Sequence, residues 1–292
     1  MDEAVQAINV QNTKQRMKSY SGNPGSLILA ALVGISALLT VLTLVFIIGY
    51  ILIKGIPHLT PELFQLEYNS ENVSMFPSIV NTIAMTLLSL LIACPLGILA
   101  AVYLVEYAKR GNKLVSVVRV TAETLTGIPS IVYGLFGMLF FVTTLKWGYS
   151  MLAGAFTLAI MVLPVIMRTT EEALLSVPDM YREASFGLGA GRLRTIFVVI
   201  LPSAVPGIFS GVILSIGRIV GETAALMYTA GTVAELPKSV MSSTRTLSVH
   251  MYSLSREGLH VNQAYATAVV LLVIVLVINW ISGRIAQKIK KG

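Results

Sequence analysis

Arg218 and Glu222 stand in the segment GRIVGETA, residues 217–224, and are the only charged residues between Arg194 and Glu235. Apolar sequence flanks them on both sides. Four residues apart, they share one face of a helix, about 6 Å apart along its axis. A lone charge at the centre of a membrane helix costs about 2.5–3.5 kcal/mol on the insertion scale, so such groups face a partner or a water-filled path. Two kinds of chemistry fit. The pair can neutralise itself and hold a bundle together. Alternatively it forms a charged station on a path, since arginine's flat fork of donors suits oxyanion geometry. Arg168, followed by Thr169 and Thr170, is a further candidate, with membrane topology as its competing role. Other chemistries find no motif. There is no GxxxxGK[ST] loop, and GLGAGRLRT ends in Arg-Thr rather than Gly-Lys. There is no HExxH and no Cys-His set, and Cys94 is the single cysteine. His58, His250 and His260 fall in expected outer loops and read as surface histidines.

The elements that must carry these residues are membrane helices. Of 292 residues, 55% are hydrophobic and 12% charged, with a mean hydropathy of +0.80. Soluble domains carry about 25% charged residues. The net charge of +7 needs no nucleic-acid partner, because Lys and Arg on cytoplasmic loops give the same balance. About 20 apolar residues span a bilayer. That length picks out six helices: Leu27–Ile53, one within Ser78–Val105, two within Leu125–Val165 divided at Lys146, Pro206–Ala230, and Ala264–Ile285. The expected division is a tail at 1–26, a first helix at 27–53, an extracellular loop at 54–76, a core at 77–286 and a C-terminal tail at 287–292. With both termini cytoplasmic, fifteen Lys and Arg fall on inner segments and five on outer ones.

The longest inner loop reads SVPDMYREASFGLGAGRLRTIFVVILP, residues 176–202. It predicts a short helix over about 176–189. Ser176 caps it, Pro178 suits the first turn, and Gly187 and Gly189 end it. Tyr181, Ala184, Ser185 and Leu188 share one face. A helix lying on lipid usually carries Lys, Arg and bulky apolar groups, whereas this small-residue face suits a protein groove better.

The spacing Glu-Ala-x-x3-Gly-x9-x-x-Leu-Pro, here Glu183, Ala184, Ser185, Gly189, Val199, Leu201 and Pro202, resembles the signature of bacterial ABC importer permeases. Ser185 and Val199 replace the usual Ala and Ile. GIPSIVYGLFG (127–137), MRTTEEAL (167–174) and GRIVGETAALMYTAG (217–231) narrow the resemblance to the A-type permease subunit of the high-affinity phosphate importer. It covers roughly residue 77 to the C-terminus.

The resemblance implies an all-α, six-helix type I importer fold in the bacterial plasma membrane, without enzymatic activity. It implies that residues 176–189 are a coupling helix, with Tyr181, Glu183, Ala184, Ser185 and Gly189 meeting an ATPase subunit. The implied partners are a second, C-type permease subunit, two ATPase subunits that bind ATP and Mg, and a phosphate-binding protein; this chain binds no cofactor or metal. Arg218, Glu222 and Arg168 become pathway residues, with Glu222 either orienting Arg218 or accepting a hydrogen bond from a protonated phosphate. Gly207, Gly211, Gly217 and Gly221 form two Gly-x3-Gly steps that permit close helix approach, within the chain or against the second permease. A permease for molybdate or sulfate shares the coupling signature. An ion-coupled carrier would need no ATPase but predicts an internal repeat that is not seen. A membrane scaffold is poorly matched to the charges Arg218 and Glu222 in the helix expected at 206–230.

Overall fold

The computed structural model describes residues 24–109 and 111–291. The expected N-terminal tail lies almost wholly outside these residues, as does Arg110. The chain divides into two units, Met1–Ile53 and Lys54–Gly292. The first is represented by α1, Pro24–Gly55, an apolar helix without an acidic residue in its first turn. Thr40 and Thr43 satisfy their hydroxyls on carbonyls one turn back, which suits a helix with no water along its length.

The second unit is a bundle. Its helices are α2 (Phe76–Val102), α3 (Lys113–Thr126), α4 (Ser130–Gly137), α5 (Met151–Leu175), α6 (Asp179–Gly187), α7 (Leu201–Gly221), α8 (Ala224–Thr229), α9 (Leu247–Glu257) and α10 (Val261–Lys291). Wider π-helical turns prolong α2 to Tyr107 and α4 to Thr144, and another leads into α7. Five helices are long and apolar enough to cross a membrane, and the bent pair α3–α4 makes a sixth if counted as one span. No strand occurs among the described residues.

The core lies between α2, α5 and α7. Met85, Leu158, Met161, Ile166 and Ile219 are fully or almost fully buried in it. Gly97 lets α2 approach α5, because a Cβ there would stand 2.9 Å from Ile166. The polar residues of α2 do not disrupt this packing. Thr82, Thr86 and Ser89 each donate to the carbonyl four residues back, so these three buried hydroxyls are satisfied within their own helix. Pro95, Pro164 and Pro206 sit inside their helices, as membrane bundles tolerate.

Two sequence expectations change here. The span expected at 206–230 instead runs Arg192–Gly221 and stops, because the chain turns extended at Glu222. The expected tail from 287 is helical as far as Lys291, since nothing in the sequence breaks α10. The long loop at 54–76 is held in a defined arrangement. Asn72 donates to Gln65 and to the Glu67 carbonyl, and Leu63, Val73 and Met75 are buried beneath it.

Candidate functional site: the break after Gly221

α7 ends at Gly221, and Glu222 has extended backbone, with φ −72° and ψ 131°. The shared helical face expected for Arg218 and Glu222 therefore does not form. No ion pair joins them among the described residues. Glu222 is only 8% exposed and serves the next helix: its Oε1 accepts the Ala225 N–H at 3.0 Å. A carboxylate at a helix N-terminus is favoured both by that hydrogen bond and by the helix dipole. The Ser248 hydroxyl donates to the Glu222 carbonyl at 2.6 Å, tying the break to α9.

α8 is clamped on two sides. A Cβ at Gly134 would meet the Ala225 backbone at 2.8 Å, and one at Gly137 would meet Thr157 and Thr229. Gly154 of α5 is similarly tight against Ala230 and Leu226. The glycines of GIPSIVYGLFG thus fit α4 around the broken segment. Tyr133 is held there by donating to the Leu125 carbonyl at 2.7 Å, and it lies within electrostatic reach of Arg218.

Arg218 occupies the last turn of α7, where a cation complements the helix dipole. It is half-buried and has no hydrogen bond or ion pair among the described residues. It lines a cavity of about 600 Å³ with Val165, Ser210, Gly217 and Asn279 among its neighbours. Arg168 is not part of this cavity. Its side chain is 56% exposed and pairs with Glu172 at 3.2 Å and Glu123 at 3.8 Å, beside the Arg119–Glu171 pair. Of these two arginines, the structure places Arg168 in a charge network and leaves Arg218 without a counter-ion among the described residues.

The four glycines of α7 separate into two kinds. Gly207 and Gly211 pack within the chain: a Cβ would stand 2.6 Å from that of Ala173 and 1.8 Å from the Thr169 hydroxyl. Gly217 and Gly221 have nothing within 4 Å, so their notch is open.

At the far end of α5, α6 begins at Asp179 and Pro178 precedes it. Ser176 does not cap it. That residue closes α5, and its hydroxyl donates to the Ala173 carbonyl at 2.7 Å. Gly189 has φ +81°, the left-handed turn that favours glycine. Tyr181, Glu183, Ala184 and Gly189 are exposed. Ser185 is not; it faces inward, its hydroxyl 2.8 Å from that of Thr195. Its place on the outer face is taken by Met180 and Phe186, exposed by 68% and 47%. Arg182 anchors α6 to the bundle through Glu106 at 2.7 Å and the carbonyls of Leu174 and Val177.

At the opposite end the expectation for His250 fails. It is fully buried, edge-on to Tyr68 at 6.2 Å, with the Arg245 guanidinium 4.6 Å over the same ring. Burial first, and the Arg245 charge second, hold its pKa down at about 3, against a smaller upward pull from the Val73 backbone. No charge pattern marked this cluster in the sequence; it forms because the loop at 54–76 folds over the start of α2 and α9.

The second unit is thus a bundle of long apolar helices with a short, largely exposed helix, Asp179–Gly187, between two of the spans. Residues 93–291 match the family described as binding-protein-dependent transport system inner membrane component, and the chain belongs to that family. It is a multi-pass membrane protein and an ABC importer permease. It is 34% identical over 279 residues to the probable ABC transporter permease protein YqgI of Bacillus subtilis, covering 88% of this chain and 94% of that one. It is 44% identical over 190 residues to the phosphate transport system permease protein PstA of Pasteurella multocida, covering 64% and 67%. The crystal structure of a bacterial alginate ABC transporter, bound to its alginate-loaded periplasmic protein, shares the fold. There the TM-score is 0.69 at 18% identity, over 93% of this chain and 98% of that one.

Proposed function

We propose that this permease carries inorganic phosphate. The observation that carries the reading is Arg218, a half-buried guanidinium with no counter-ion among the described residues, lining a cavity at a helix break. Similarity to phosphate permeases supports it. A fork of donors left unpaired can take a phosphate oxygen pair, while a single such group keeps binding weak enough for release. Glu222 holds the break rather than the substrate. Arg168 lies on the route only if its carboxylate partners release it.

In this reading the end bearing α6 is cytoplasmic, as the excess of Lys and Arg on the matching loops suggests. The exposed face of α6, with Tyr181, Glu183, Ala184 and Gly189, docks on one of two ATPase subunits that bind and hydrolyse ATP with Mg. A binding protein delivers phosphate to the other end. A second permease subunit completes the pathway and covers the open notch at Gly217 and Gly221.

Phosphate uptake by cells carrying Arg218→Gln, with the complex still assembled, tests the reading. Uptake should fall to background, and Arg218→Lys should restore only part of it, because lysine keeps the charge and loses the fork. Normal uptake by Arg218→Gln would remove Arg218 from the pathway. Uptake of sulfate or molybdate in place of phosphate would replace the substrate.

A further inference from the structure

A cavity lies at the α6 end, where two long apolar segments terminate. It has about 950 Å³ and is bordered by residues just past Tyr107, the last of the span Phe76–Tyr107, and by Arg192, the first of the span Arg192–Gly221. Two spans ending together place this cavity at the bilayer surface. Its lining holds five cations, Lys109, Lys113, Arg119, Arg182 and Arg192, against two acids. Both acids, Glu106 and Asp179, are already paired with Arg182, and Arg119 is paired with Glu171. Arg192 is braced by the Glu106 carbonyl and stacks 5.2 Å over the Tyr107 ring. Lys109 and Lys113 are exposed and have no ion pair among the described residues. The surplus charge is therefore positive.

A second observation concerns α3, which lines the same cavity. Its 14 residues are about 21 Å long, too short to cross the roughly 30 Å hydrocarbon core. It lies at 104° to the helix that follows. If that following helix enters the membrane, α3 runs along the surface. On one side of α3, Val115, Ser116 and Arg119 border the cavity. On the other, Leu114, Val117 and Val120 are 60%, 63% and 60% exposed and form an apolar stripe. An apolar stripe in the interface plane beside a cationic hollow matches a molecule with two tails and a charged head.

We propose that this cavity binds an anionic phospholipid, its headgroup phosphate held by Lys109, Lys113 and Arg192 and its acyl chains lying along Leu114, Val117 and Val120. A free oxyanion would use the cations but leave the stripe bare. A protein partner would cover the stripe but gains less from two unpaired lysines at a bilayer surface. A juxtamembrane Lys contributes about 1 kcal/mol toward an anionic surface, so losing two should weaken lipid retention about tenfold or more.

The test is native mass spectrometry of the full-length protein, released from detergent after exposure to phosphatidylglycerol or to phosphatidylcholine. Phosphatidylglycerol should be retained selectively. The double variant Lys109→Gln/Lys113→Gln should lose that selectivity at an unchanged melting temperature, and Lys109→Arg/Lys113→Arg should keep it. Equal retention of the two lipids by the parent protein would overturn the proposal, as would undiminished selectivity in the glutamine variant. Displacement of the lipid by millimolar inorganic phosphate would assign the cations to a free anion. Loss of the lipid once ATPase subunits are bound would assign the face to a protein.

Discussion

At the scale of single residues, Glu222 shows how a charge in apolar sequence can serve structure. Its carboxylate takes up the Ala225 N–H at the start of α8, and its carbonyl takes up Ser248. The two contacts have different requirements. Glutamine keeps an oxygen at the same position, so Glu222→Gln should retain the break. Glu222→Ala leaves a buried N–H without a partner, and should lower stability by about 0.5–2 kcal/mol. Thermal melting of the detergent-solubilised variants would show the difference. If Glu222→Gln melts like the parent yet transports nothing, the carboxylate has a role in transport beyond capping. Arg218 is the complementary case. Its neighbours in the chain leave it unpaired, so its effect should fall on uptake and not on melting.

At the scale of elements, the apolar stretches of α2, α5 and α10 were legible because lipid demands long apolar runs, but their ends were not: α5 continues past Val165 through Arg168, Glu171 and Glu172 to Leu175, and α10 continues to Lys291. The short helix α6 was legible from Pro178, whose ring fixes φ just before it, and from Gly189, which tolerates the φ of +81° just beyond its end. The break at Glu222 was not. A glutamate four residues from an arginine fits an unbroken helix equally well, and only the tight seat of α8 against Gly134 and Gly137 decides for the turn. Ser185 was misplaced for a related reason: a face counted at i, i+3, i+4 and i+7 is wide enough to include a residue that turns inward to Thr195. The glycines of α7 carry a prediction at this scale. Gly211→Val would drive its side chain into Thr169 and push α7 off α5, costing about 1–3 kcal/mol in strain. Gly221→Val meets nothing in this chain, so it should leave melting of the isolated subunit nearly unchanged. Its effect should appear in co-purification of the second permease. Equal melting of the two variants would mean that α7 does not rely on Gly211 to reach α5.

At the scale of the whole molecule, the two ends of the bundle are built to different rules. The end with Arg245 and His250 folds a loop over its polar groups and keeps them from water. The end with α6 does the reverse: Met180, Tyr181, Phe186 and Leu188 stand exposed beside a cationic cavity. In the proposed reading these apolar side chains form the docking surface, and Arg182 anchors the helix by joining α6 to Glu106 at the end of α2. Motion at α6 would therefore pass to α2, and through its close contact at Gly97 to α5, which lines the Arg218 cavity at Val165. That route requires contact with an ATPase subunit on one side and an intact Arg182 on the other. In an assembled complex, Leu188→Cys should crosslink to the ATPase subunit, since Leu188 is 89% exposed. Adding Arg182→Ala should leave the crosslink in place, because the outer face remains, while phosphate uptake per ATP hydrolysed falls severalfold. Absence of the crosslink would refute docking through α6. A crosslink with unchanged coupling in Arg182→Ala would leave the docking face in place and move the transmitting contact to the Ser185–Thr195 pair.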